Sequence, residues 1–394
     1  MKAIFFHDHK LIILNRTLYS TGGFNKSKVD EYSKWFSTIT LATRCKDENV
    51  ESRALVLVGG IDSRLKFLKI DDLSTIKFKT YFDTCKKINI ALNNIEVAIV
   101  RLPSTIGMLG YVLSKIKKKK IIVEMVGCPW DSLYNYGGLK AKIAALLMFL
   151  LTKVATYYSH NTIYVTNQFL QNRYPSKYKN SVGCSDVVID VDPKVYLKRL
   201  EYIKTLPDRK VRIGIIGALG SKYKGFDKLF ECANILERKF PGKYEIDIVG
   251  GGDSSKLTDL IDKLDLGGVV SIIGSLSHPV GINKWLDSID IYVQPSKTEG
   301  LPRAVIEAMS RGCTCIGSNA GGIPELLESD FIHQQEDVDA FASLIIKAST
   351  KEILVKQCKR SFKESEKYTS TNLDIKRNKF YNASLESISL VEKT

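Results

Sequence analysis

Short apolar runs alternate with helix-length stretches along almost the whole chain. In the first half the runs are Ala3–His7, Ile39–Ala42, Ala54–Val58, Val97–Val100, Ile121–Val126 and Thr162–Val165. They are rich in Ile and Val and apolar on both faces, as strands buried in a parallel sheet are. Between them, Lys26–Phe36, Thr105–Lys117 and Leu139–Tyr158 read as helices. Strands alternating with helices predict a parallel sheet covered on both sides.

The second half is patterned more sharply. Its strands are expected at Val211–Ile216, Tyr244–Val249, Val270–Ile273, Asp290–Val293 and Thr314–Gly317. Phe226–Phe240 sets Leu229, Ala233, Leu236 and Phe240 on one helical stripe. Further helices fall at Ser254–Leu264, Gly281–Leu286, Pro302–Arg311, Ile323–Leu327 and Val338–Ala348. This order predicts a Rossmann-like domain of five strands. The expected division is an α/β domain over 1–190, a charged, proline-bearing linker over 191–210, a second α/β domain over 211–365, and a helical tail over 366–394 that could pack back on the first domain. Ligands of such sheets bind at the carboxyl ends of the strands, so two of these domains predict one site in a cleft between them.

Composition adds limits. The 394 residues are 44% hydrophobic and 26% charged, which excludes a disordered or fibrous chain. The net charge of +15 is unevenly placed: residues 1–190 hold 28 basic and 15 acidic side chains, residues 191–394 hold 30 and 28. The basic half is expected to meet something anionic, such as phosphates or an anionic membrane surface. A nucleic-acid binder would interleave basic residues with exposed aromatics or carry a known module, and neither is found. The eight cysteines form no CxxC pair, which points away from a metal site and toward a reducing cytosol. No export signal is expected at the start, because His7-Asp8-His9-Lys10 breaks the apolar run. The longest apolar stretch, Ile143–Leu151, is too short to span a bilayer. It reads first as a buried helix, and alternatively as a helix dipping into a membrane surface.

The strongest chemical signal is Glu299-Gly300-Leu301-Pro302-Arg303-Ala304-Val305-Ile306-Glu307, placed after a strand and opening a helix. Pro302 suits the first helical turn. The amides of Gly300, Leu301 and Arg303 then offer an anion site. Glu299 sits in the loop before the helix and Glu307 about five residues into it, roughly 7 Å along the axis, so the two can accept hydrogen bonds from hydroxyls at two ends of a polyol, with a phosphate between. Three glycine loops share that sheet edge: Gly217-Ala218-Leu219-Gly220-Ser221-Lys222-Tyr223-Lys224-Gly225, then Gly250-Gly251-Gly252-Asp253, then Gly321-Gly322-Ile323-Pro324-Glu325. Glycines let the backbone approach a phosphate, and lysines neutralise it.

These motifs, from about Val211 to Leu327, resemble the retaining nucleotide-sugar glycosyltransferases of glycosyltransferase family 4, of the bacterial surface-polysaccharide type. The family has the GT-B architecture, two Rossmann-like α/β domains with parallel sheets facing a central cleft. The first half is similar more loosely, through Ser20-Thr21-Gly22-Gly23 and the run VEMVGCPWD. The resemblance implies that Glu299 contacts the donor sugar, Glu307 holds the ribose hydroxyls, and Lys224 neutralises the donor diphosphate. It also implies that Gly22 and Gly23 line that diphosphate, with Gly217, Gly250, Gly300 and Leu301 supplying backbone. Two positions depart from the family pattern. Ala218 stands where an Arg is usual, which passes the lost cation to Lys222. Gly127 stands where a His is usual, which leaves the acceptor or Asp131 to compensate.

The implied activity is transfer of a sugar, with retention, from a nucleotide-sugar donor to a lipid-linked saccharide acceptor, by a cytoplasmic enzyme peripheral on the membrane. No cofactor or metal is expected: Asp190/Asp192 and Asp337/Asp339 lie in the linker and at a helix start. His7, His9, Arg101 and Trp130, near strand ends, are weaker acceptor-side candidates. The alternatives are a non-catalytic nucleotide-sugar-binding subunit and a GT-B-shaped epimerase. The first draws on Ala218 and Gly127. The second needs catalytic acids in both halves, and the first half offers no convincing one.

Overall fold

A computed structural model describes residues 1–20, 24–46, 55–73, 78–135, 137–206 and 209–391. The chain forms two compact units. One comprises Met1–Trp130, Ile143–Cys184 and Lys376–Thr394, and the other Asp131–Lys142 and Ser185–Ile375. Each carries a Rossmann-like α/β sheet.

The first unit holds β1 (Lys2–Leu14), β2 (Thr17–Ser20), β3 (Thr38–Lys46), β4 (Val56–Gly60), β5 (Leu65–Ile70), β6 (Val97–Leu102), β7 (Lys120–Met125), β8 (Asn161–Tyr164) and β9 (Ser181–Gly183). Pairing runs β4-β2-β1-β6-β7-β8-β9, with β3 also on β1 and β5 on β3. Most pairs are parallel, as expected. Two are not: β2 runs antiparallel to both β1 and β4, so the run read as Ala54–Val58 belongs to an antiparallel edge. The first strand also continues through the polar residues that were read as its end. It turns into β2 at Asn15 and Arg16, whose φ of 47° and 60° make the tight primed turn suited to strand twist.

Buried Glu124 on β7 ties this unit together. Its Oε1 accepts from the hydroxyls of Tyr32, at 2.7 Å, and Tyr381, at 2.9 Å, while Oε2 pairs with Arg101 at 3.0 Å. Tyr381 lies on the last helix, Ser370–Val391, and stacks on Trp35 at 4.1 Å. The C-terminal tail therefore packs, from Lys376 onward, with the N-terminal sheet.

The second unit holds β10 (Val211–Ile216), β11 (Tyr244–Val249), β12 (Val270–Gly274), β13 (Ile291–Gln294), β14 (Thr314–Ser318) and β15 (Ile332–His333). All neighbours are parallel, in the order β12-β11-β10-β13-β14-β15. The sixth strand was not expected. It is two residues long, too short to show a pattern. Helix Phe226–Lys239 buries Leu229, Ala233 and Leu236 as expected, but ends before Phe240, which is exposed.

Residues 191–210, read as a linker, contain helix Pro193–Lys204, which packs within this unit. Asp192 caps it, accepting from Lys194 N at 2.9 Å. Its buried Arg199 donates to the carbonyls of Arg311 at 2.9 Å, Ile289 at 2.6 Å and Leu286 at 2.6 Å. The stretch 143–151 departs further from its first reading, since helix Leu139–Tyr157 exposes most of its large apolar side chains. Among the described residues no helix is long and apolar enough to cross a membrane.

Candidate active site

In the second sheet the strand order reverses between β10 and β13, and the carboxyl ends of strands at such a switch point open a natural ligand crevice. The loop 217–225 leaves β10, and the segment 295–302 leaves β13. Lys224 in the first loop donates to Glu299 Oε1 in the second at 2.7 Å, with both side chains mostly buried. The two residues singled out from separate motifs are thus one ion pair.

Glu299 is held by more than Lys224. Gln294 Nε2 and Ser296 Oγ each donate to the same Oε1 at 2.9 Å. Buried Tyr292 donates to Gln294 Oε1 at 2.8 Å and accepts from Ile216 N at 3.2 Å, so β10 and β13 meet through its hydroxyl. Burial raises the Tyr292 phenol well above its usual pKa, which keeps it a donor. These three residues were missed in the sequence. The signal was present: Tyr292, Gln294 and Ser296 alternate along a fully buried strand and its exit, and so share one face. Polar side chains there must have partners.

Glu307 lies in helix Arg303–Ser310, 8% exposed. Pro302 is the residue before the first turn rather than within it. Glu307 Oε1 meets His278 Nε2 at 2.9 Å and Arg303 at 4.0 Å. His278 was also missed. It follows β12, at the strand-end edge that carries the glycine loops, in a His-Pro step that belongs to no recognised motif.

The loops interlock through backbone. A side chain at Gly250 would strike the Gly217 carbonyl, and one at Gly321, where φ is +56°, would strike the Glu299 carbonyl. Gly322 N donates to Gly300 O at 2.7 Å, which joins the third loop to the segment after β13. Among the described residues the amides of Gly300 and Leu301 donate to no backbone carbonyl, and Leu301 is 9% exposed. Lys222 is exposed, directly after the turn closed by Ser221 N to Ala218 O at 3.0 Å.

The remaining candidates divide. Gly22 and Gly23 lie outside the described residues. Among the described residues, His9 Nε2 and Ser20 Oγ are 2.7 Å apart, and Phe24 packs against both His9 and Phe5. Burial, then the cations of Arg101 and Arg44, hold the His9 pKa below its usual value. Arg101 is engaged with Glu124. Trp130 packs edge-on to Phe149 at 5.9 Å, and Gly127 follows β7 with Pro103 as its near neighbour. Asp131 stands in the first turn of helix Pro129–Tyr134. Asp192 and Asp337 are helix caps, the latter accepting from Ala340 N at 2.9 Å.

Residues 200–365 match the family described as "Glycosyl transferases group 1". Protein CapJ of Staphylococcus aureus is 27% identical over 390 residues, covering 96% of this chain and 94% of that one. The N,N'-diacetylbacillosaminyl-diphospho-undecaprenol alpha-1,3-N-acetylgalactosaminyltransferase of Campylobacter jejuni is 25% identical, covering 65% of this chain and 67% of its own. Among solved structures, Anabaena HepE in complex with UDP superposes with a TM-score of 0.65 at 13% identity, over 97% of this chain and 100% of that one. Residues 200–365 are therefore a glycosyl transferases group 1 domain, carried on a chain of the GT-B fold.

Proposed function

We propose that this protein transfers a sugar from a nucleotide-sugar donor to a saccharide acceptor, with retention of anomeric configuration, in the synthesis of a bacterial surface polysaccharide. The observation that carries the reading is the Lys224–Glu299 pair at the switch point, with Glu307 on the helix that follows. In this reading Glu299 receives donor-sugar hydroxyls, and Glu307, oriented by His278, receives the ribose hydroxyls. The loops at Gly217, Gly250, Gly300 and Leu301 let the backbone come close to the diphosphate.

The bond that breaks joins the anomeric carbon to the diphosphate oxygen, and negative charge grows on that oxygen as it leaves. A fixed cation aimed at it stabilises the transition state more than the ground state. Lys224, with Lys222 beside it in the loop, fills that role without calling on a metal. For retention, the acceptor hydroxyl attacks from the face the diphosphate leaves, and its proton passes to the departing oxygen.

The acceptor we propose is lipid-linked, as the name of the Campylobacter relative states for that protein. The basic first half, 28 cations against 15 anions, supports peripheral residence on the cytoplasmic face of an anionic membrane. The test is mass spectrometry of products from a panel of nucleotide sugars incubated with native lipid extract. A glycosylated lipid of retained configuration supports the proposal. Donor binding without turnover for every donor would make this a binding subunit, and an inverted product would remove the retaining mechanism.

A further inference from the structure

Helix Leu139–Tyr157 is built the wrong way round for a core helix. It buries small or hydroxylated residues, Ala145, Thr152, Ala155 and Thr156. Most of its large apolar residues face outward: Ile143 is 62% exposed, Leu146 50%, Leu147 57%, Leu150 50%, Val154 53% and Tyr157 41%. At 3.6 residues per turn these six fall within an arc of about 100°, opposite the buried set. They make a continuous ridge, whereas single exposed apolar residues need no explanation.

The borders of the ridge are basic. Lys142 and Lys153 flank it on the helix itself, both exposed. At its C-terminal end Tyr157 and Tyr158 lie 5.8 and 4.7 Å from Lys177 Nζ, and Tyr178 lies 5.1 Å from the same group. His160 stacks on Tyr178, and its pKa is held below the usual value by burial and by the ammonium groups of Lys115, Lys177 and Lys120. Lys177, on a segment separate from the helix, therefore places a cation at its C-terminal end. Aromatic and basic residues bordering an apolar face are the composition of elements that rest in the headgroup region of a bilayer.

We propose that the outward face of helix 139–157 docks on an anionic lipid surface, with Leu146, Leu147 and Leu150 inserted among the acyl chains and the surrounding lysines on the headgroups. The inference rests on the membrane residence proposed above and assigns it to one face. It also changes the character of the binding. Charge alone would release the protein in high salt, whereas an inserted ridge retains part of the binding at about 1 M salt, where the Debye length is about 3 Å.

The full chain should be sedimented with phosphatidylcholine vesicles and with vesicles containing phosphatidylglycerol. Wild type should bind the anionic vesicles and keep part of that binding in high salt. Leu146→Asp/Leu150→Asp should lose about 100-fold or more in partitioning. Both positions are exposed, so its melting curve and its affinity for a soluble nucleotide sugar should match wild type. Leu197→Asp/Ile375→Asp places the same charges at other exposed apolar positions and should bind as wild type does. Equal binding by Leu146→Asp/Leu150→Asp and wild type overturns this face and leaves the membrane reading standing. No binding by wild type overturns both. A wild-type dimer that the leucine variant turns into a monomer, seen by light scattering, would assign the ridge to a second copy of the chain instead.

Discussion

The Lys224–Glu299 pair can be tested as a unit, by Lys224→Ala, Glu299→Gln and the double variant. The charges are 2.7 Å apart, with side-chain exposures of 18% and 12%. At an effective dielectric of about 20 the direct attraction is about 6 kcal/mol before desolvation. Desolvation removes most of it, and a hydrogen bond to a charged partner keeps about 1.5–3 kcal/mol net. Lys224→Ala leaves Glu299 with its neutral donors Gln294 and Ser296, so the stability loss should be about 2 kcal/mol. The same lysine faces the leaving diphosphate in the proposed reaction, and loss of one such group costs on the order of 100-fold in rate. Urea titration measures the first effect, and nucleoside diphosphate release from the active donor measures the second. Because the two side chains share a bond, the double variant should be little worse in either assay than the more damaged single. A coupling below about 0.5 kcal/mol, together with near-normal turnover in both singles, would refute the reasoning. If only Lys224→Ala stays active, Lys222→Ala in that background decides whether Lys222 carries the charge.

Glu307→Ala should weaken donor binding by about 1.5–3 kcal/mol for each ribose hydrogen bond lost, without unfolding the protein, and unchanged affinity in calorimetry would remove the assignment. His278→Ala should raise KM for the donor with little change in kcat, because His278 acts by orienting Glu307; a fall in kcat at constant KM would assign it a different part. Glu124→Gln should cost about 3–5 kcal/mol in urea titration, since it leaves Arg101 and two buried hydroxyls around a neutral group. Burial alone would raise the Glu124 pKa, but Lys28, Arg101 and the hydroxyls of Tyr32 and Tyr381 outweigh it and hold the carboxyl below its ordinary 4.5. That contribution is present above pH 4.5 and lost as pH falls through the folded value, so in acid wild type should lose more stability than Glu124→Gln and the difference between the two should shrink.

The second sheet was legible because its strands are apolar on both faces and separated by helices of near-regular length. Its glycine loops were legible because so few residues can occupy a position like Gly321. What the pattern concealed was polar. Arg199 sits in a charged stretch that looks solvated, and only the three carbonyls around it reveal a buried role. Gln294 and Ser296 are unremarkable until Glu299 is seen to fold back onto them. Helix 139–157 misled for the opposite reason: an apolar sequence implies burial, and here the apolar face is the exposed one. Hydrophobicity indicates which surfaces avoid water, and a lipid surface satisfies that as well as a core does.

The position of Arg199 also governs how the protein can be cut. A fragment begun at Val211, the first strand of the second sheet, would lack helix Pro193–Lys204. The carbonyls of Leu286, Ile289 and Arg311 would lose the guanidinium that satisfies them, and Ser288 O would lose the hydroxyl of Tyr202. The carbonyls of Leu286, Ser288 and Ile289 precede β13, whose far end carries Gln294 and leads into Glu299, so a short fragment would loosen the strand that delivers the site. A second unit meant for expression alone, or for exchange with a relative's, has to include the stretch from Ser185 and carry the helix with it.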